Sequence, residues 1–159
     1  MLKQANKSGL KVIDYGSSCF NGQRIYTYIQ SRFYRAPEII LGIPYTAAID
    51  MWSFGCIVAE LLTGYPIFPG ENEQDQLGYI MEIYGVPNIE VLDIASRKHL
   101  FFEDDDTPLI ATNSKGKTRI PNSKTIEKVL KCNDPSFIDF LNRCFEWHPC
   151  DRITPLQAL

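Results

Sequence analysis

The chain has 159 residues, 45% of them apolar, which is enough for one domain with a buried core. Its formal net charge of −3 argues against a protein that binds nucleic acid through phosphate contacts. Five cysteines without a C-x-x-C pair, and the lack of an apolar run long enough for a signal peptide or a membrane span, predict an intracellular protein of the cytoplasm or nucleus, with reduced thiols and no membrane partner.

The first predicted element is a short strand at residues 10–13, where the sequence LKVI is apolar and partly β-branched. Residues 17–30 lack a helical period and predict an ordered, irregular loop. A proline that can open a helix then precedes a short helix over residues 38–41, which Gly42 ends.

A longer helix is predicted over residues 46–64, with Thr46 as N-cap and Gly64 as the left-handed residue after its end. Its apolar residues cover nearly the whole circumference, and this pattern is typical of a helix that is buried on all sides. Asp50 would then carry a carboxylate into the interior. Because an unpaired buried carboxylate is costly, we expect hydrogen-bond donors around it.

The remainder of the chain predicts further helices, so the fold class is mainly α. Their spans follow from 3.6-residue periodicity or from capping residues: 74–84, 89–96, 136–145 and a last helix opened by Thr154 and Pro155. Residues 97–124 hold an acidic run at 103–106 followed by scattered basic residues, which is typical of a solvated, mobile insertion. The segment after this insertion, 125–159, is predicted to hold the C-terminal helices.

Three motifs in order give the chain a resemblance to the C-terminal lobe of a eukaryotic protein kinase. They are D-Y-G at 14–16, A-P-E at 36–38 and D-M-W-S-F-G-C at 50–56. The first matches the kinase signature D-F-G with Tyr in place of Phe, and the second matches the signature A-P-E without change. The longer stretches GSSCFNGQRIYTYIQSRFYRAPEIILG, LLTGYPIFPGENEQDQL and CNDPSFIDFL resemble the dual-specificity tyrosine-regulated kinases of the CMGC group. The resemblance covers essentially the whole chain.

The resemblance implies a large-lobe fold with a strand or hairpin remnant at residues 1–13, an activation segment at 14–38 and a central helix at 46–64. It also implies ATP and Mg²⁺ as cofactors and protein Ser/Thr residues as substrates. Asp14 would be the catalytic metal ligand, holding the magnesium that bridges the ATP phosphates. Taken alone, Asp14 would better suit an ordinary turn after a strand, and the context of the resemblance reverses that preference.

The same resemblance assigns roles within the activation segment. Tyr28, the second tyrosine of a Y-x-Y pair, would be autophosphorylated, and Arg32 and Arg35 would clamp its phosphate. Ser31 would help to position the substrate. The two arginines would otherwise be ordinary surface charges.

Two structural residues are also implied. Glu38 would pair with Arg152, more than a hundred positions later, and a buried pair of this kind fixes geometry more than it adds stability. Asp50 would accept hydrogen bonds from the backbone of a catalytic loop.

Several kinase parts are missing from the sequence: the Gly-rich loop, the strand lysine and the H-R-D catalytic loop. We therefore expect a partial kinase domain, with the N-terminal lobe and catalytic loop supplied by a parent chain, and no activity in these 159 residues alone. The alternative is a non-catalytic module derived from a kinase, which docks substrates or serves as a scaffold.

Overall fold

The computed structural model describes residues 9–20 and 22–159. Within them the fold is mainly α, as predicted. Six α-helices and two 3₁₀ helices follow one another along the chain: a 3₁₀ helix at Arg32–Tyr34, α1 Pro37–Leu41, α2 Ala48–Thr63, α3 Glu73–Tyr84, α4 Ile89–Asp93, a second 3₁₀ helix at Lys98–Leu100, α5 Ile126–Leu130 and α6 Pro135–Cys144. No helix in this part of the chain has the length and apolar content that crossing a membrane requires.

The strand predicted at residues 10–13 is not formed. Leu10 carries a single bridge, and residues 11–13 are irregular. Leu10, Val12 and Ile13 are all more than half exposed, so no apolar burial favours an extended strand there. Residues 1–8 of the predicted N-terminal remnant lie outside the described residues, which elsewhere show only the isolated bridges Phe102–Pro108 and Thr112–Thr118.

Helix α2 is central but not buried on all sides, so that part of the prediction is wrong. Its buried face packs on α5, α6 and the first 3₁₀ helix. There the fully buried Trp52 contacts the rings of Phe68 and Phe145, with centroids 5.8 and 5.1 Å away. The opposite stripe is open to solvent: Phe54, Ile57, Leu61 and Leu62 are between 46% and 80% exposed. The Phe140 ring of α6 lies edge-on to the Phe54 ring, 6.2 Å away, yet Phe54 stays 46% exposed, and apolar periodicity alone does not reveal this exposure.

Capping explains why several helix ends lie close to the predicted ones. Gly64 takes a left-handed φ of 79° at the end of α2, and its N–H donates to the Glu60 carbonyl. The side chain of Asn72 accepts from the N–H of Asp75 at the start of α3, and that of Asp134 caps α6. The last predicted helix, after Thr154, is a single turn, in which the N–H groups of Gln157 and Ala158 both donate to the Thr154 carbonyl at 3.1 Å.

The insertion at 97–124 is packed at its two ends, while most of residues 103–118 is exposed, so the prediction of a solvated segment is corrected only at the ends. Phe101 and Phe102 are each 3% exposed, and Arg119 is buried. Arg119 donates to the carboxylates of Asp75 and Glu82 on α3, at 2.8 and 3.1 Å, and its guanidinium lies over the Tyr79 ring. The composition suggested solvation because it could not show that this cation has partners on another element.

Candidate functional site

The activation segment predicted at residues 14–38 brings Tyr28 and Arg35 together. The Tyr28 hydroxyl accepts a hydrogen bond from Arg35 Nη1 at 2.7 Å, and the guanidinium stacks over the ring, 4.0 Å from its centroid. Tyr28 is exposed, while Arg35 is only 6% exposed. A buried guanidinium therefore faces the hydroxyl of an accessible tyrosine, which is an arrangement that can bind an added phosphate.

Arg32, the other arginine predicted to clamp Tyr28, points elsewhere. Its Nη1 donates at 2.6 Å to the backbone carbonyl of Glu71, in the turn before α3. The Glu71 carboxylate in turn accepts from the hydroxyl and the N–H of Ser114, at 2.6 and 3.0 Å, and these bonds lower the Glu71 pKa. With an unmodified tyrosine, Arg35 is the arginine that is hydrogen-bonded to Tyr28, and Arg32 ties the segment to the turn before α3, whose Glu71 carboxylate contacts the insertion.

Ser31, predicted to position the substrate, is exposed and directly precedes the first 3₁₀ helix. Its carbonyl accepts from the Tyr34 N–H at 2.9 Å, and its hydroxyl makes no hydrogen bond within the described residues. The Tyr34 hydroxyl donates to Glu60 at 2.7 Å, and this bond to a carboxylate, together with burial, raises the pKa of Tyr34 to about 12. The backbone beside Ser31 is therefore anchored on α2 while its hydroxyl stays free.

Gln30 is a residue of this site that the sequence did not single out. Its φ is +68°, in the left-handed region, and its side chain joins α2 to the start of α1. No sequence signal marks it, because a left-handed glutamine has no motif and glycine is the residue expected in that conformation.

The two predicted carboxylates, Asp14 and Asp50, line the same cavity of about 320 Å³. Neither carboxylate has a hydrogen-bond partner among residues 9–20 and 22–159, so the donors expected around Asp50 are not found there. Asp50 is also exposed rather than buried in the interior, because it lies on the open stripe of α2. Partial burial beside the cavity nevertheless raises its pKa.

Asp14 has the chemistry of a magnesium ligand. Magnesium is usually held by one or two carboxylates together with substrate phosphates, so an exposed, unpaired carboxylate at a cavity fits one position of such a site. Within the described part of the chain, no cluster of three His, Cys, Asp or Glu side chains could hold a metal by itself. Asp14 would hold the ion only jointly with ligands from other groups.

Glu38 and Arg152, predicted to pair, are in contact. Arg152 Nη1 and Nη2 donate to the two carboxylate oxygens of Glu38, at 2.7 and 3.0 Å, and neither side chain is accessible to solvent. The remaining donors of Arg152 reach the carbonyls of Ala48 and Glu146. The pair therefore anchors the end of the predicted activation segment to α2 and to the C-terminal turn.

Comparisons with known proteins agree with the motifs. The model of the protein kinase domain family matches residues 1–159. The chain is 56% identical over 158 residues to dual specificity tyrosine-phosphorylation-regulated kinase 2 of Drosophila melanogaster, covering 99% of this chain and 22% of that protein. Over all 159 of its residues, the chain is 57% identical to dual specificity tyrosine-phosphorylation-regulated kinase 4 of Homo sapiens, and it covers 31% of that protein. It is 55% identical over 152 residues to DYRK-family kinase pom1 of Schizosaccharomyces pombe, covering 96% of this chain and 14% of that protein. The chain thus spans between about a seventh and a third of the length of these relatives.

Proposed function

Because the chain belongs to the protein kinase domain family, among the dual-specificity tyrosine-regulated kinases of the CMGC group, we propose that it serves in phosphoryl transfer from ATP to protein serine and threonine residues. It contributes the metal-binding aspartate, the activation segment and the helical support of the large lobe. The Gly-rich loop, the phosphate-binding lysine and the catalytic aspartate are not among these 159 residues, and we propose that a parent chain supplies them. The 159 residues alone therefore do not turn over ATP.

The observation that carries this proposal is the contact between Tyr28 and Arg35. Phosphorylation of Tyr28 adds nearly two negative charges and three acceptor oxygens to the hydroxyl oxygen that lies 2.7 Å from a buried guanidinium nitrogen. Charge-assisted hydrogen bonds of this kind order a loop, and residues 29–35 are already anchored on α2. We propose that autophosphorylated Tyr28 holds this segment in the form that accepts a protein substrate beside Ser31.

The role of Asp14 follows from its free carboxylate. Bound Mg²⁺ would neutralise charge on the ATP phosphates, and Asp14 would supply one of its oxygen ligands at the cavity edge. Asp50 lines the same cavity without a partner, and we propose that backbone N–H groups of the catalytic loop donate to it.

The test is a turnover assay on the full gene product with ATP, Mg²⁺ and a Ser/Thr peptide library. We expect transfer in the wild type and its loss in Asp14→Asn. Asp104→Asn, which removes an exposed carboxylate of the acidic run, is the matched control and should keep full activity. A wild-type product that binds protein substrates but transfers no phosphate would refute the proposal and favour the scaffold alternative.

A further inference from the structure

Gln30 holds a backbone conformation that its residue type rarely adopts. Its φ of +68° lies in the left-handed region, where non-glycine residues persist only if surrounding contacts fix them. Gln30 directly follows Ile29 and lies two residues after Tyr28, so its conformation decides how the chain turns between the tyrosine and the first 3₁₀ helix. The contacts that fix it therefore bear on the tyrosine site.

The side chain of Gln30 uses both ends of its amide. The NH₂ group donates to the carbonyl of Ile49 at 3.0 Å and to the hydroxyl of Ser53 at 2.8 Å, both on α2. The amide oxygen accepts from the Ala36 N–H at 2.9 Å, directly before α1. Ser53 donates onward to the Tyr34 carbonyl at 2.7 Å. Three hydrogen bonds thus fasten one glutamine between two helices.

The backbone around Gln30 holds Arg35. The carbonyl of Ile29 accepts from Arg35 Nε at 3.0 Å, and the carbonyl of Gln30 accepts from Nη2 at 2.8 Å. These two bonds occupy one edge of the guanidinium and leave Nη1 to donate to the Tyr28 hydroxyl. Since the left-handed conformation of Gln30 sets the direction of these carbonyls, it also sets the orientation of Arg35.

We infer that Gln30 is a positioning residue for the tyrosine site, which transmits the rigidity of α2 to Arg35 and so holds the guanidinium against Tyr28. The contact between Tyr28 and Arg35 then depends on a side chain whose own hydrogen bonds go to Ile49, Ser53 and Ala36. The part of this inference that concerns phosphotyrosine rests on the proposed function.

The first experiment needs no phosphorylation. The full gene product is first treated with a tyrosine phosphatase and then nitrated with tetranitromethane, and the rate at each tyrosine is followed by mass spectrometry. Gln30→Asn keeps an amide and tolerates the left-handed backbone, but is one methylene too short to reach α2. We expect several-fold faster nitration of Tyr28 in Gln30→Asn and in Arg35→Lys, with no change at the exposed Tyr65. Lys131→Asn, at another left-handed and exposed position, is the matched control and should leave Tyr28 unchanged.

The second experiment separates positioning from a merely structural role. The melting temperature is measured with Tyr28 phosphorylated and after treatment with a tyrosine phosphatase. A positioning role predicts that the stabilisation by phosphate is reduced severalfold in Gln30→Asn and Gln30→Gly. Equal lowering of both forms, with the phosphate effect intact, would overturn the inference, and so would an unchanged nitration rate at Tyr28.

The proposed function fails in a different way. If the wild type carries no phosphate on Tyr28, or if phosphate gives no stabilisation in the wild type, the regulatory proposal and the phosphotyrosine part of this inference are both refuted. The nitration rates still decide whether Gln30 positions Arg35.

Discussion

Glu38 and Arg152 lie 114 positions apart and form a two-pronged ion pair from which solvent is excluded. Every other hydrogen bond of the Arg152 guanidinium goes to a backbone carbonyl, and the guanidinium lies 5.3 Å from the Trp52 ring centroid. The pair connects the A-P-E motif at residues 36–38 to the C-terminal turn that contains Arg152. It is a charge pair buried on both sides.

Removing one member of this pair strands the other charge. We expect Arg152→Met to lower the free energy of unfolding of the full gene product by about 3–5 kcal/mol. The matched control is Arg143→Met, which breaks the pair between Arg143 and Asp139, both more than half exposed, and should cost less than about 1 kcal/mol. Urea unfolding measures both. A loss in Arg152→Met no larger than that of the control would contradict the buried pairing, and the double variant Glu38→Leu/Arg152→Met should recover part of the loss.

The open stripe of α2 predicts self-association of the 159-residue chain. Phe54, Ile57, Leu61 and Leu62 form one exposed apolar row, and such rows mark interaction or aggregation surfaces. Leu61→Lys/Leu62→Lys should lower light scattering and dye binding at equal concentration, while Thr125→Lys at another exposed position should not. Scattering that is unaffected by the paired change would place the associating surface elsewhere.

The ion pairs of buried Arg119 indicate that the packing of the insertion on α3 depends on this charge. Arg119→Met leaves Asp75 and Glu82 without this cation, so we expect a destabilisation of about 3–5 kcal/mol and a loosened insertion. Limited trypsin digestion should then cleave faster after the exposed Lys115 and Lys117. Arg143→Met is again the control, and equal cleavage rates in the two variants would refute the role of Arg119.

Asp50 predicts a pH-dependent stability of the 159-residue chain. Burial raises the pKa of the Asp50 carboxyl in the folded chain. At pH values between its ordinary pKa and the raised pKa, the folded form therefore holds a proton that the unfolded form has released. Stability should therefore fall as pH rises through this window. Asp50→Asn should raise the melting temperature at pH 7 and have no effect near pH 3, where both forms are protonated.

The full gene product should behave in the opposite way. There we propose that backbone donors reach Asp50, and Asp50→Asn should lower stability at pH 7, because an amide accepts those bonds less strongly than a carboxylate. Stabilisation by the substitution in both proteins would show that no donors reach Asp50.

Local chemistry explains what the sequence could predict. Gly64, Asn72 and Asp134 fix helix ends through their own side chain or left-handed backbone, so the spans of α2, α3 and α6 were close to correct. Motif resemblance named both members of the Glu38–Arg152 pair, which no local pattern could join across 114 positions.

Tertiary partners explain what the sequence missed. The exposure of Leu61, the burial of Arg119 and the contact of Arg32 with the Glu71 carbonyl each depend on what another element supplies. Gln30 was missed for the same reason, because its left-handed backbone is fixed by α2 rather than by its own residue type.

The site of tyrosine phosphorylation tests the account most directly. The full gene product and its Asp14→Asn variant are expressed in a bacterial host, and the peptide that contains Tyr26 and Tyr28 is analysed by site-resolved mass spectrometry. Tyr28 faces the Arg35 guanidinium at 2.7 Å, so we predict phosphate on Tyr28 in the wild type and none in Asp14→Asn. Phosphate on Tyr26 instead, an unmodified wild-type peptide, or equal phosphorylation of Tyr28 in both proteins would contradict it.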